Sequence, residues 1–205
     1  MIYLRLLRLV FFSKRVESLG IIGPNGNEYF PSTSEYLQAQ FAKRGAYRYM
    51  SDVLTKSSDS FQIIPIEVDE NRISTKRYKS FTLKLINVHH GIVPALALAI
   101  EVDGKKIVIS GDTNNENKSL EMISKKADLF IAHHAIPQHA GKFAKKLHMT
   151  PSIIAHVASG SEVKKIVLSH RMKRALSREK DSLKIIKKEF KGEVVFAEDR
   201  MRLEL

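Results

Sequence analysis

From Asp112 to the C-terminus the sequence alternates between helical and strand patterns, and this rhythm constrains the fold more than any other feature. Residues 115–126 read as helix, ADLFIAHH as strand, 150–160 as helix, VKKIVLSH as strand, 179–190 as helix and EVVFAED as strand. Such alternation builds a layered α/β domain, because each helix buries its apolar stripe on a sheet face before the chain returns to the next strand. Upstream lie FQIIPIEV, FTLKLINV, PALALAIEV and KKIVISGD, short β-rich runs with Asp103–Gly104 as a hairpin signal between the last two. Earlier still, GIIGPNGN at 20–27 reads as a buried strand ending in a loop. Residues 33–57 read as helix, with Leu37, Phe41, Ala42 and Tyr49 as inner positions.

With 205 residues, 43% of them hydrophobic, the chain is long enough to bury a core, and a single domain over 1–205 is the expectation. The opening MIYLRLLRLVFF carries Leu4, Leu7 and Phe11 at helical spacing, with Arg5 and Arg8 between them. An amphipathic helix fits it better than a signal peptide, since no small-residue cleavage site comes after it. No stretch approaches the roughly 18 apolar residues of a membrane span, so the chain as given reads as soluble and, by default, cytoplasmic.

Three strand patterns end in metal-binding side chains: LINVHH at His89–His90, IVISGD at Asp112 and IVLSH at His170. A fourth, LFIAHH, ends in His133–His134, and His148 comes a short loop later. Strand ends are where loops converge while the sheet holds them. The chain has no cysteine, so a transition metal would rest on imidazole and carboxylate, donors that suit zinc or iron. Each residue also has a plainer reading. A lone histidine is more often packed or solvated, Asp112 with Thr113 could cap a helix starting near Asn114, and His148 could simply precede a helix begun by Thr150–Pro151.

In order along the chain, HHGIVPALALAIEVDGKKIVISGDT, ADLFIAHHAIP, HMTPSIIAHVA and VKKIVLSHRM closely resemble the second half of metallo-β-lactamase-fold hydrolases, in the branch containing ribonuclease Z, phosphodiesterases and arylsulfatases. The likeness runs from about Gly20 to the end and is most specific between His89 and Met172. It implies a metallo-β-lactamase-like αββα sandwich, incomplete at the N-terminus. It also implies a metal-dependent hydrolase of phosphate or sulfate esters using two divalent metals, zinc by resemblance. Carried over by position, His90 would bind one metal, Asp112 would bridge and also serve catalysis, and His170 would bind the other. His148 would protonate the leaving group. His133 stands where ribonuclease Z has a glutamate, so this segment looks more like phosphodiesterase-like members; His133 and His134 are possible secondary ligands.

The His-x-His-x-Asp-His segment of these enzymes is not found. Residues 1–19 resemble the helix and loop that lie downstream of that segment in the family, so the chain reads as beginning just after it. By this assignment each metal would have one terminal ligand and a shared carboxylate, below the three protein ligands a zinc ion normally takes. The alternative is an inactive fragment acting, if at all, as a basic binding or scaffold protein, or an incomplete gene model. The net charge of +12 suits an anionic ester substrate. Nucleic acid is a possible partner on charge alone, since no nucleic-acid motif is found, and a homodimer is also possible.

Overall fold

The computed structural model describes residue 11 and residues 17–55, 61–68 and 72–205 of the protein. The helix expected over Leu4 and Leu7 lies outside the described residues. The chain divides into two compact units, Met1–Val68 and Asp69–Leu205.

In the first unit, β1 (Leu19–Pro24) pairs in parallel with β2 (Ile63–Val68), placing Leu19 opposite Ile63 and Pro24 opposite Val68. Between them, α1 (Thr33–Phe41) starts at a capping box in which the Ser32 hydroxyl accepts from the Glu35 backbone N–H and the Glu35 carboxylate accepts from that of Ser32. The helix expected to run to 57 stops at Phe41. Ala42 is extended, Gly45 closes a tight turn onto the Ala42 carbonyl, and a 3₁₀ segment comes next at Arg48–Leu54. This break rotates the second half of the segment. Met50 and Val53 are buried with Leu37, Phe41, Phe61 and Ile63, while Tyr49, expected inside, is 52% exposed and Ala42 is half-buried.

The second unit is built on a seven-stranded sheet in sequence order: β3 (Ser74–Arg77), β4 (Thr82–Val88), β5 (Ala95–Val102), β6 (Lys105–Ile109), β7 (Leu129–His133), β8 (Lys165–Ser169) and β9 (Glu193–Phe196). The first four strands are antiparallel, joined by short turns. Asp103 and Gly104 both take positive φ, 48° and 72°, as a two-residue hairpin of this hand requires. From β6 onward the strands are parallel and need crossovers, which explains the change of rhythm at Asp112. The crossovers carry α2 (Ser119–Ser124), α3 (Lys142–Leu147), α4 (Pro151–Gly160), α5 (Lys173–Leu176) and α6 (Glu179–Glu189).

Ile86, Val88, Ala97, Ala99, Val108, Phe130, Ala132, Ile166 and Leu168 form one sheet face, buried with residues of α2, α4 and α6. Strand alternation puts Leu83, Leu85, Leu98, Ile100, Ile107, Ile109, Leu129, Ile131 and Val167 on the other. A sheet apolar on both faces belongs to the interior of a layered α/β sandwich, in keeping with the expected class. Helix α2 is shorter than the 115–126 expected. Asn115 takes φ 60°, and its side chain instead accepts from the backbone N–H of Leu120.

Candidate metal centre

Strand β4 runs antiparallel to β5, which runs antiparallel to β6, while β7 and β8 lie parallel to β6. The C-terminal ends of β4, β6, β7 and β8 therefore share one edge of the sheet. His89–His90, Asp112, His133 and His170 leave the sheet there as the sequence pattern implies.

At this edge Gly111 has φ +62°, and a Cβ on it would lie 2.3 Å from the Leu96 carbonyl oxygen, so only glycine fits the bend that turns Asp112 toward the histidines. The preceding Ser110 is buried. Its hydroxyl donates to the Gly111 carbonyl at 2.7 Å and accepts from the His133 backbone N–H at 3.1 Å, tying the ends of β6 and β7 together. His170 takes φ +51°, unusual for a side chain other than Gly or Asn. Its neighbour Arg171 is fixed by Glu179 at 2.5 and 2.9 Å and by the Ala197 carbonyl at 2.5 Å, with its guanidinium over the Phe196 ring.

Asp112 Oδ1 is the hub of the site. His133 Nδ1 lies 3.0 Å from it, His170 Nε2 3.4 Å and His148 Nδ1 3.5 Å. The hydrogen bond from His133, together with the charges of His133, His170 and His148, outweighs burial and holds the Asp112 carboxyl at about 2, against an ordinary value of 3.8. Burial pushes the His148 imidazole down against the pull of Asp112, aided by the neighbouring charges of His90, Arg174 and His170. Among the described residues the His148 Nδ1 has no hydrogen-bond partner, and it is shut off from solvent.

Asp112, His133 and His170 each offer one ligand atom within 4.8 Å of the others, and they form the one such group among the described residues. One carboxylate oxygen and two imidazole nitrogens at these separations fit a single ion with bonds of about 2.0–2.2 Å after small side-chain adjustments, leaving a fourth position open. The fit rests on donor types and convergence.

The structure redistributes the residues singled out in the sequence. His133, a secondary candidate there, enters the inner group. His90 stands beside it: its ring centroid is 5.0 Å from that of His148, and its Nδ1 is 2.7 Å from the Leu147 carbonyl oxygen. A carbonyl accepts, so Nδ1 carries the proton and Nε2 is left as a lone-pair donor. His134 is separated from the group, being fully buried with Nε2 2.9 Å from the Ser182 hydroxyl. His89 is also apart, bonded to the Asn114 side chain at 2.9 Å. Asp112 and Thr113 do not cap a helix, since α2 begins seven residues after Asp112 with Lys118 as its N-cap; the Thr113 hydroxyl instead donates to the His89 carbonyl. His148 closes the C-terminal end of α3, its N–H bonded to Ala144. Sequence reasoning passed over Ser110, Asn114 and Arg171, residues that brace the loops; the Asn-Asn after Asp112-Thr113 was the available signal for a hydrogen-bonded turn.

No family model matches the chain. It is 36% identical over 103 residues to ribonuclease Z of Methanosarcina acetivorans, covering 50% of this chain and 33% of that protein. It is 30% identical over 115 residues to ribonuclease Z of Archaeoglobus fulgidus, covering 56% and 37%. The chain thus spans about a third of the length of the curated relatives it matches. Among solved structures, the metallo-β-lactamase fold protein YhfI from Bacillus subtilis superposes with a TM-score of 0.61 at 16% identity, over 88% of this chain and 63% of that one. The chain has the metallo-β-lactamase fold, with ribonuclease Z-like sequence over half its length.

Proposed function

We propose that the chain is a metal-dependent hydrolase of phosphate or sulfate esters, phosphodiesterase-like in its chemistry, with Asp112, His133 and His170 holding a divalent ion, zinc by donor type. The observation that carries this reading is the convergence of three donor atoms on one point with the buried His148 beside them. Similarity to two ribonucleases supports the ester class. A bound divalent ion would supply Lewis acidity toward the ester oxygen and a water of lowered pKa.

The chain's own residues divide the remaining work. Asp112, held ionised, orients the imidazoles around it. His90 is oriented by the bond from its Nδ1 to the Leu147 carbonyl. His148 holds and moves a proton to the leaving oxygen: its depressed pKa makes the imidazolium a stronger acid, and its buried Nδ1 makes no hydrogen bond, with Asp112 Oδ1 3.5 Å away. Ser110 and Gly111 fix the bend under Asp112, and Arg171 fixes the turn that carries His170.

The test measures bound metal by elemental analysis and hydrolysis of bis(p-nitrophenyl) phosphate and p-nitrophenyl sulfate by the purified chain with zinc or manganese. Asp112→Ala and His133→Ala should each abolish stoichiometric metal and turnover. A protein that binds no metal, hydrolyses neither ester and binds RNA in a salt-sensitive way would replace this reading with that of a basic binding protein.

A further inference from the structure

A cavity of about 400 Å³ lies between the loop after β7 and the start of α6, bordered by Gln138, His139, Arg174, Ser177, Arg178 and Asp181, and the charge of Arg174 reaches His148. Both walls continue from residues of the centre: the first begins just after His133–His134, and Arg174 sits four residues beyond His170. The Arg174 Nε donates to the Ala135 carbonyl at 3.0 Å and so joins the two walls, while one of its terminal nitrogens meets the weak acceptor Met172 Sδ at 3.2 Å. Arg178 faces the one carboxylate at the cavity, Asp181, at 3.5 Å, with both side chains 60% or more exposed, a pairing that contributes little and yields easily to a stronger anion. His139 is exposed, and the Gln138 side chain is held by Ser152, its amide donating to the hydroxyl and its carbonyl accepting from the backbone N–H. Two guanidiniums and an imidazole against one weakly held carboxylate is an arrangement for a phosphate, which arginine takes through paired N–H groups.

We propose that this cavity is a second anion subsite, occupied by a phosphate group of the substrate other than the ester group that is cleaved. The inference rests on the hydrolase reading for its role in catalysis but not for its binding chemistry. It narrows the substrate class to esters carrying an additional phosphate, as in a phosphorylated nucleotide.

The experiment has two arms. In the first, the full chain without added metal is titrated with inorganic phosphate while the arginine Nε–H resonances are monitored by NMR. Saturable shifts at Arg174 and Arg178, lost at Arg174 in Arg178→Gln together with His139→Ala, are expected. In the second, two p-nitrophenyl esters of thymidine 3′-phosphate are compared, one bearing a 5′-phosphate and one not. Arg178→Gln should raise KM about tenfold more for the 5′-phosphorylated ester than for the other, with kcat little changed. Shifts absent from both arginines, or an equal rise in KM for the two esters, would overturn the subsite. Failure of both esters to turn over, with the arginine shifts intact, would count against the hydrolase reading and leave the subsite supported.

Discussion

Replacing Asp112 by asparagine separates what this carboxylate does for the fold from what it does for a metal. In the metal-free protein its pKa of about 2, set mainly by the His133 hydrogen bond, corresponds to roughly 2.4 kcal/mol at full strength. With about a third of the side chain exposed to screening water, about 1 kcal/mol is the better expectation. In a chain of this size that lowers Tm by about 3 °C. Because the folded pKa lies below the unfolded one, this contribution is complete above pH 3.8 and is lost as pH falls from 3.8 toward 2. The metal-linked effect is larger. Zinc at one hundred times its Kd stabilises the folded state by about 2.7 kcal/mol, or about 8 °C. Differential scanning fluorimetry at pH 7.5, with and without zinc, should therefore show Asp112→Asn melting about 3 °C below the parent without metal and gaining almost nothing when zinc is added. His90→Ala, outside the inner group, should keep more than half of the zinc-induced rise. A full zinc shift in Asp112→Asn, or its loss in His90→Ala but not in His133→Ala, would refute the assignment of the inner donors.

Gly111→Ala places a Cβ 2.3 Å from the Leu96 carbonyl in a left-handed conformation, and should cost about 3 kcal/mol, measurable as a fall of roughly 6–12 °C in Tm. Asp128 accepts from Lys164 Nζ at 2.7 Å and from the Lys106 backbone N–H at 2.8 Å, and these two bonds, in that order, hold its carboxyl below the ordinary range. Its stabilisation is present above pH 3.8 and lost below it, so urea midpoints of Asp128→Ala should fall less than those of the parent between pH 5 and 2.5. His134 is kept neutral by burial, its pKa pushed below 6.5. The unfolded chain takes up a proton there first, so stability is full above pH 6.5 and declines as pH drops through that value. The double variant His134→Leu with Ser182→Ala, which removes both partners of one buried bond, should show a shallower decline between pH 7 and 5.5.

The strands and crossovers from β4 to β9 were legible because apolar runs and turn residues agreed at every step, as at Asp103–Gly104. Strand β3, Ser-Thr-Lys-Arg, was not, because an edge strand needs no apolar face. Helix α3 escaped notice since KFAKKL is short and buries no residue fully. The entry of His133 rather than His134 into the inner group has a clearer cause. Phe130 and Ala132 point into the core, so alternation carries His134 the same way and leaves His133 on the face of Leu129 and Ile131. The order of the pair His-His was therefore readable from the strand it ends. The approach of His133 to Asp112 was not, because it depends on the parallel pairing of β6 and β7 and on the bend at Gly111.

The hairpin between β5 and β6 turns at the end of the sheet opposite the histidines, with no heavy atom within 4 Å of where a Gly104 side chain would stand. Loop tips of this kind accept added chain without disturbing the elements they join. A peptide tag or a fluorophore-bearing cysteine placed between Asp103 and Gly104 would immobilise or label the protein at the end of the sheet away from the histidines, and would give a cysteine-free chain a single addressable thiol.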